Sequence, residues 1–343
     1  MKKSLYWFAI ALLAVALVLV AGCTGTGDDN GKDTVDGTAA PAINSLSFGY
    51  QPSTHQIAYM VASDKGMWKE DLAQFGITEI TDHKFPTGAP EMQAMMAGEI
   101  DVAYVGAAPV ISALANGLDA RIVAGVQVQG SDLVIRPDIK YESPADLKGL
   151  IIATFPEGTI QDTLLRNWLS ENGLDPEKDV DIRPMGPGDA TVAIAEGAVD
   201  AVFLPHPAPS VIANEGKGVT IVQSGSMEEN HACCVLLVSG NLIRNHPDVV
   251  DQIVKTHIKA TEYAMENQDE AAEIFQKMNK IDIDVVKKSF SEWDGKWIED
   301  PNMITDSVVN YTDIQASLGY IKKPLAKDEI FDLSFYEKAV ETA

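Results

Sequence analysis

Cysteine and basic residues are scarce in this chain, and each shortage excludes a class of function. Three cysteines in 343 residues are too few for a disulfide scaffold. Lys and Arg number 26 against 50 Asp and Glu, a formal net charge of −24. Nucleic acid is excluded as a partner, because its phosphates require a basic surface. The acidity fits a solvated surface that keeps the protein soluble and monomeric. The six histidines lack metal-type spacing such as H-x-x-x-H, so no metal site is expected. Neither a Gly-x-Ser-x-Gly elbow nor a P-loop occurs, no cofactor is implied, and the chain is not expected to be an enzyme. Cys233 and Cys234 are adjacent in an apolar run, where burial is expected to keep them inert.

Long apolar runs are also rare, apart from one at the N-terminus. Lys2 and Lys3 precede an uncharged stretch from Trp7 to Ala21, which ends in Val20-Ala21-Gly22-Cys23. A basic n-region, a short apolar core and small residues before a cleavage point make a secretory signal. The pattern resembles a lipoprotein signal over residues 1–22, with Cys23 carrying the lipid. The alternative is an uncleaved N-terminal anchor; the run is short for the ~20 residues that span a bilayer. Either way the rest is expected outside the cytoplasmic membrane, attached to its outer face. Residues 23–44 are rich in Gly, Thr and Asp and read as a flexible tether.

Two stretches then match each other at an offset of 99 residues. Gly98-Glu99-Ile100-Asp101-Val102-Ala103-Tyr104-Val105 parallels Gly197-Ala198-Val199-Asp200-Ala201-Val202-Phe203-Leu204, and Gly117 parallels Gly216. Each copy reads as a helix, a Gly C-cap, a turn ending in Asp, a buried strand and a second helix. Continuous apolar runs such as Val102–Val105 suit a parallel sheet covered on both faces. The expected fold is α/β, with two similar lobes. Lobe one takes residues 45–132 and lobe two 133–232. Residues 233–343 return to lobe one and add C-terminal helices. Asp132–Arg136 and Ala232–Ser239 are expected to be the crossovers, and so the hinge.

Ligands in open α/β sheets bind beyond the carboxyl ends of strands, where helix N-termini offer N–H groups and partial positive charge. Six strand-to-helix junctions carry Gly, Pro or hydroxyl residues and supply the candidate ligand contacts. These are Tyr50, Gln51, Ser53 and His55 at the first, and Thr87 and Gly88 at the second. Gly106 and Ala107 follow at the third, Gly158 and Thr159 at the fourth, Gly188 at the fifth and His206 at the sixth. Ser53, Thr87, Thr159 and Asp189 read equally well as N-caps. Asp101 and Asp200 are expected to shape the turns into their strands. No Lys or Arg lies at any junction, so an oxyanion would be held by backbone N–H groups, hydroxyls and histidine. Tyr50, Tyr104 and Phe155 could instead stack on a ring.

These residues resemble the nitrate/sulfonate/bicarbonate group of ABC-importer solute-binding proteins, which includes taurine and thiamine-precursor binders. The carriers are Phe85-Pro86-Thr87-Gly88, Ala97-Gly98-Glu99-Ile100-Asp101-Val102, Val105-Gly106-Ala107-Ala108-Pro109, Ser143-Pro144-Ala145-Asp146-Leu147-Lys148-Gly149 and Glu196-Gly197-Ala198-Val199-Asp200-Ala201. Their order over about residues 46–275 carries the likeness. The resemblance implies a Venus-flytrap periplasmic-binding-protein fold of type II, with two crossover strands. It also implies a small ligand held between the lobes, and as partners a membrane permease and its cytoplasmic ATPase. The chain departs at Leu204-Pro205-His206-Pro207, where sulfonate and taurine binders tend to carry Trp-Asp-Pro. An oxyanion and a thiamine-precursor-like ring therefore both stay open as ligands. A sensing module, or an enzyme related to thiamine-pyrimidine synthases, is the alternative function.

Overall fold

The computed structural model describes residues 42–341. The signal, Cys23 and most of the tether lie outside these described residues. Eleven strands form two sheets. The six-stranded sheet contains β1 (Ser45–Tyr50), β2 (Glu79–Lys84), β3 (Val102–Gly106), β4 (Ala120–Val128), β10 (Ala232–Ser239) and β11 (Lys296–Trp297). The five-stranded sheet contains β5 (Ser131–Ile135), β6 (Ile151–Thr154), β7 (Asp181–Pro184), β8 (Ala201–Pro205) and β9 (Val219–Gln223).

Both sheets are wound alike. The first runs β11-β4-β10-β3-β1-β2 and the second β7-β6-β8-β5-β9. In each, three parallel strands lie side by side, and one antiparallel strand, β10 or β5, separates them from the last strand of the unit. β3 and β8 are buried along their whole length, as strands covered on both faces must be.

The internal repeat is structural. The helices Gly88–Met96 and Pro187–Ala195 lead to β3 and β8, and then to the helices Ala107–Ala115 and Ala208–Asn214. Gly98 and Gly197 sit at φ +76° and +71°, the left-handed region that favours glycine after a helix. Asp101 and Asp200 do more than shape a turn. Asp101 Oδ2 accepts from Ser47 N at 3.0 Å, and Asp200 Oδ2 from Ile151 N at 2.9 Å. Each carboxylate thereby ties its strand to the first strand of its own sheet.

The crossings differ from expectation. Ser131–Ile135 and Ala232–Ser239 are interior strands of the sheets, not spans between them. The chain passes between sheets at Gln129-Gly130, and again between Met227 and Ala232. Gln129, Gly130 and Asn230 all have positive φ there. The β-prone runs were drawn into pairing, which left the short polar segments before them to cross. The C-terminal helices pack largely on the first sheet, with two that also reach the second unit. Ile283–Glu292 packs on Ala208–Asn214, and Thr305–Ser317 on Ile160–Glu171.

Candidate functional site

The carboxyl ends of both sets of parallel strands face one cleft. Its inner part encloses about 350 Å³ of atom-free space and its outer part about 950 Å³. The two share Gln51, Ser53, Phe155 and Pro205, so they are continuous. The inner part is lined from the first sheet by residues following β1 and β3, and from the second by residues following β6 and β8. Gly88 opens one helix there, while Gly106 and Thr159 hold the N-cap positions of two others. Three helix N-termini therefore border the space, a setting that favours negative charge.

Of the sequence candidates, Gln51, Ser53, His55, Gly88, Gly106 and Thr159 line the inner part. Gly188 and His206 line the outer part, together with Gln51 and Ser53. Gly158 borders a separate surface hollow beside Pro109 and Ser112. Tyr50, Thr87 and Ala107 are buried and line none of these spaces. The Tyr50 ring lies 4.5 Å from that of Tyr59, and Tyr104 is fully buried against His257. Both tyrosines thus belong to a core aromatic cluster, whereas Phe155 does reach the cleft.

Several candidates are already engaged. Ser53 Oγ accepts from His55 N and donates to the His206 carbonyl, at 2.9 Å for the latter. Thr159 accepts from Asp162 N as an N-cap, and its hydroxyl donates to Pro156 O at 2.7 Å. Gly88 is glycine because Pro109 packs on it; a Cβ would lie 2.6 Å from Pro109 Cγ. His206 is buried, with Nδ1 3.0 Å from Ser289 Oγ and Nε2 3.4 Å from Asp132 Oδ2.

Sequence reasoning missed five cleft residues. Lys84, at the end of β2, lines the outer part and donates to Asn279 Oδ1 at 3.0 Å. It puts a cation at the cleft that no junction supplied. Gln161 lines the inner part and donates to Ser131 Oγ at 3.1 Å, and Gln56 lies beside it. Cys233 and Cys234 complete the set. Neighbours in a strand normally face opposite ways, but β10 shifts register against β4 on both sides of Cys234. Both thiols consequently reach the same space, their sulfurs 3.8 Å apart. They are buried as expected, yet they border the cavity. The hydrogen bond from Cys233, reinforced by His55 against the cost of burial, holds the Cys234 thiol below its ordinary range, and Cys233 is pushed up in turn.

Beneath the cleft, Glu91 is fully buried, with Oε2 accepting from Gln51 Nε2 at 2.9 Å. Burial holds its carboxyl well above the usual range, so it is neutral near pH 7.

The two sheets of like winding, with helix N-termini meeting in a cleft between them, are the architecture of two-lobed periplasmic binding proteins. Residues 39–279 match the NMT1-like family, and the chain belongs to it. It is 26% identical over 348 residues, 99% of this chain and 98% of the relative, to a Bacillus subtilis (strain 168) protein provisionally named for binding aliphatic sulfonates. The fold is shared with the alkanesulfonate-binding protein SsuA of Xanthomonas axonopodis pv. citri, bound to MOPS. There the TM-score is 0.75 at 21% identity, covering 86% of this chain and 99% of that one. The periplasmic nitrate-binding protein NrtA of Synechocystis PCC 6803 has a TM-score of 0.74 at 17% identity, covering 88% and 90%. No helix among the described residues is long and apolar enough to cross a membrane.

Proposed function

We propose that this protein is an extracytoplasmic solute-binding lipoprotein of an ABC importer, and that it captures a small oxyanion of the sulfonate class between its lobes. The observation that carries the reading is the cleft itself. Strand ends and helix N-termini from both sheets border one space, so a ligand there touches both lobes. Contacts made to both lobes at once exist only in the closed state, and they bias the protein toward it. The permease then recognises the closed shape. The inner lining holds no Lys, Arg, Asp or Glu, so amides, hydroxyls and helix N-termini would hold the oxyanion, with Lys84 at the outer part as the cation. Two alkanesulfonate or sulfonate binders among its relatives in sequence or fold support that ligand class.

A thermal-shift screen of taurine, alkanesulfonates, nitrate, bicarbonate and thiamine-pyrimidine precursors tests the ligand. A binder at 100-fold over its dissociation constant stabilises the fold by ~2.7 kcal/mol. A hit only among ring compounds would reject the oxyanion and retain the importer. Recovery of bound ligand in altered form would point to an enzyme on the same fold. The lipid anchor is tested at Cys23: Cys23→Ser is expected to move the protein from the membrane fraction to the medium.

A further inference from the structure

Three side chains with no part in the oxyanion reading converge on the inner cleft. Cys233 Sγ lies 3.8 Å from Cys234 Sγ and 3.3 Å from His55 Nδ1, and the three atoms all fall within 4.8 Å of one another. All three residues are buried and border the cavity. Two thiolates on a tetrahedral zinc, each ~2.3 Å from the ion, stand ~3.8 Å apart; a sulfur and an imidazole nitrogen stand ~3.5 Å apart. The sulfur pair has that spacing, and the sulfur–nitrogen pair is close to it.

We propose that Cys233, Cys234 and His55 form a binding site for a thiophilic d¹⁰ cation, Zn²⁺ or Cu⁺, with a further coordination position open to the cleft. Four observations support it. His55 Nε2 lies 2.7 Å from the Gly130 carbonyl, and Nε2–H donates to it. That leaves Nδ1 as the lone pair facing the sulfurs, the arrangement in which metal-binding histidines are normally held. Gln56 Nε2 lies 3.8 Å from Cys234 Sγ, where an amide N–H supports a thiolate. The register shifts of β10 are what turn two adjacent side chains to one side. Charge also balances: two thiolates and one neutral imidazole match a divalent cation, so no net charge is buried with Zn²⁺. Thiolate and imidazole donors select against Mg²⁺ and Ca²⁺. Binding releases the thiol protons to solvent, and the outer cleft is the entry path.

This site does not depend on the oxyanion reading, and its test uses no organic ligand. The full chain, reduced and stripped with a chelator under anaerobic conditions, is titrated with Zn²⁺ against a chromophoric chelator, and with Co²⁺ as an optical probe. One equivalent is expected to bind, with proton release and a thiolate-to-cobalt charge-transfer band. Cys234→Ser and Cys233→Ser, both near-isosteric, and His55→Ala are each expected to weaken Zn²⁺ by more than ~100-fold, beyond the ~10–100-fold loss of a second-shell contact. Circular dichroism confirms that each variant is folded, and Cys234→Ser keeps the test decisive if His55→Ala is not. Failure of the reduced protein to take up zinc would overturn the site. So would uptake that survives the Cys233→Ser/Cys234→Ser double variant, a cobalt complex without the thiolate band, or a Cys233–Cys234 disulfide that reductant leaves intact.

Discussion

Ser53 and His206 belong to different sheets and stand 153 positions apart, yet Ser53 Oγ donates to the His206 carbonyl at 2.9 Å. Thr54 N donates to the same oxygen at 3.2 Å. Together these bonds stitch the loop after β1 to the loop after β8, across the cleft.

Ser53→Ala removes one of the two bonds while leaving the carbonyl satisfied by Thr54. The expected cost to the closed state is about 1 kcal/mol, or roughly 5-fold in ligand affinity. Calorimetric titration with the hit of the screen reads that loss, and small-angle scattering reads a larger mean size without ligand. Unchanged affinity and size would show that the bond contributes nothing to closure.

Gly130→Ala is expected to destabilise the protein by about 2–4 kcal/mol. The residue sits at φ +84°, which costs an L-residue about 1–2 kcal/mol. Its Cβ would also lie 2.6 Å from Gln127 Nε2 and 2.7 Å from Trp293 Cε3. A denaturant midpoint within error of the parent would reject this account.

The buried histidines His231 and His257 give stability a dependence on acid. Burial lowers each to about 4, against an ordinary 6.5. His257 is held neutral by donating from Nε2 to Gly125 O at 2.7 Å and accepting at Nδ1 from Tyr104 at 3.0 Å. Between about pH 6.5 and 4 the unfolded chain binds protons that the folded chain refuses, so stability falls as pH falls through that window. The loss is on the order of a few kcal/mol per histidine at its lower end. Thermal midpoints from pH 7 to 4.5 should drop, and His257→Gln should flatten the slope.

Glu91 acts with the opposite sign. Its folded carboxyl is raised, so the folded state keeps a proton that the unfolded chain gives up above its ordinary pKa of 4.5. The cost grows as pH rises toward the folded value. Glu91→Gln retains an acceptor for Gln51 and removes this titration. It is expected to raise the melting midpoint at pH 8 and leave it nearly unchanged at pH 4. An equal gain at both would mean that the effect is packing.

The duplicated α/β unit was legible in the sequence because its signals are local. Gly98, Gly117, Gly197 and Gly216 mark helix ends, and Asp101 and Asp200 mark strand starts, each by its own backbone chemistry. Six of the twelve junction residues lining the inner cleft follow from one rule about strand ends. What stayed hidden depends on pairing between distant segments. The shifts that bring Cys233 and Cys234 to one side arise from the register of β10 on β4, more than 100 residues away in sequence. Lys84 reaches the cleft because β2 lies at a sheet edge, and strand order is not written in any one strand. The crossings were misplaced by a few residues for the same reason: β propensity shows a strand, not which sheet takes it.

The like winding of the two sheets conceals an inequality in when each becomes complete. All five strands of the second sheet lie in one uninterrupted stretch, residues 131–223, whereas the first needs β10 between β3 and β4. As the chain emerges from its N-terminus, the second lobe has its full complement of strands while the first still lacks its middle one. The lobe begun first is therefore the last to close, and a chain ending before residue 232 holds one finished sheet beside one with a gap at its centre.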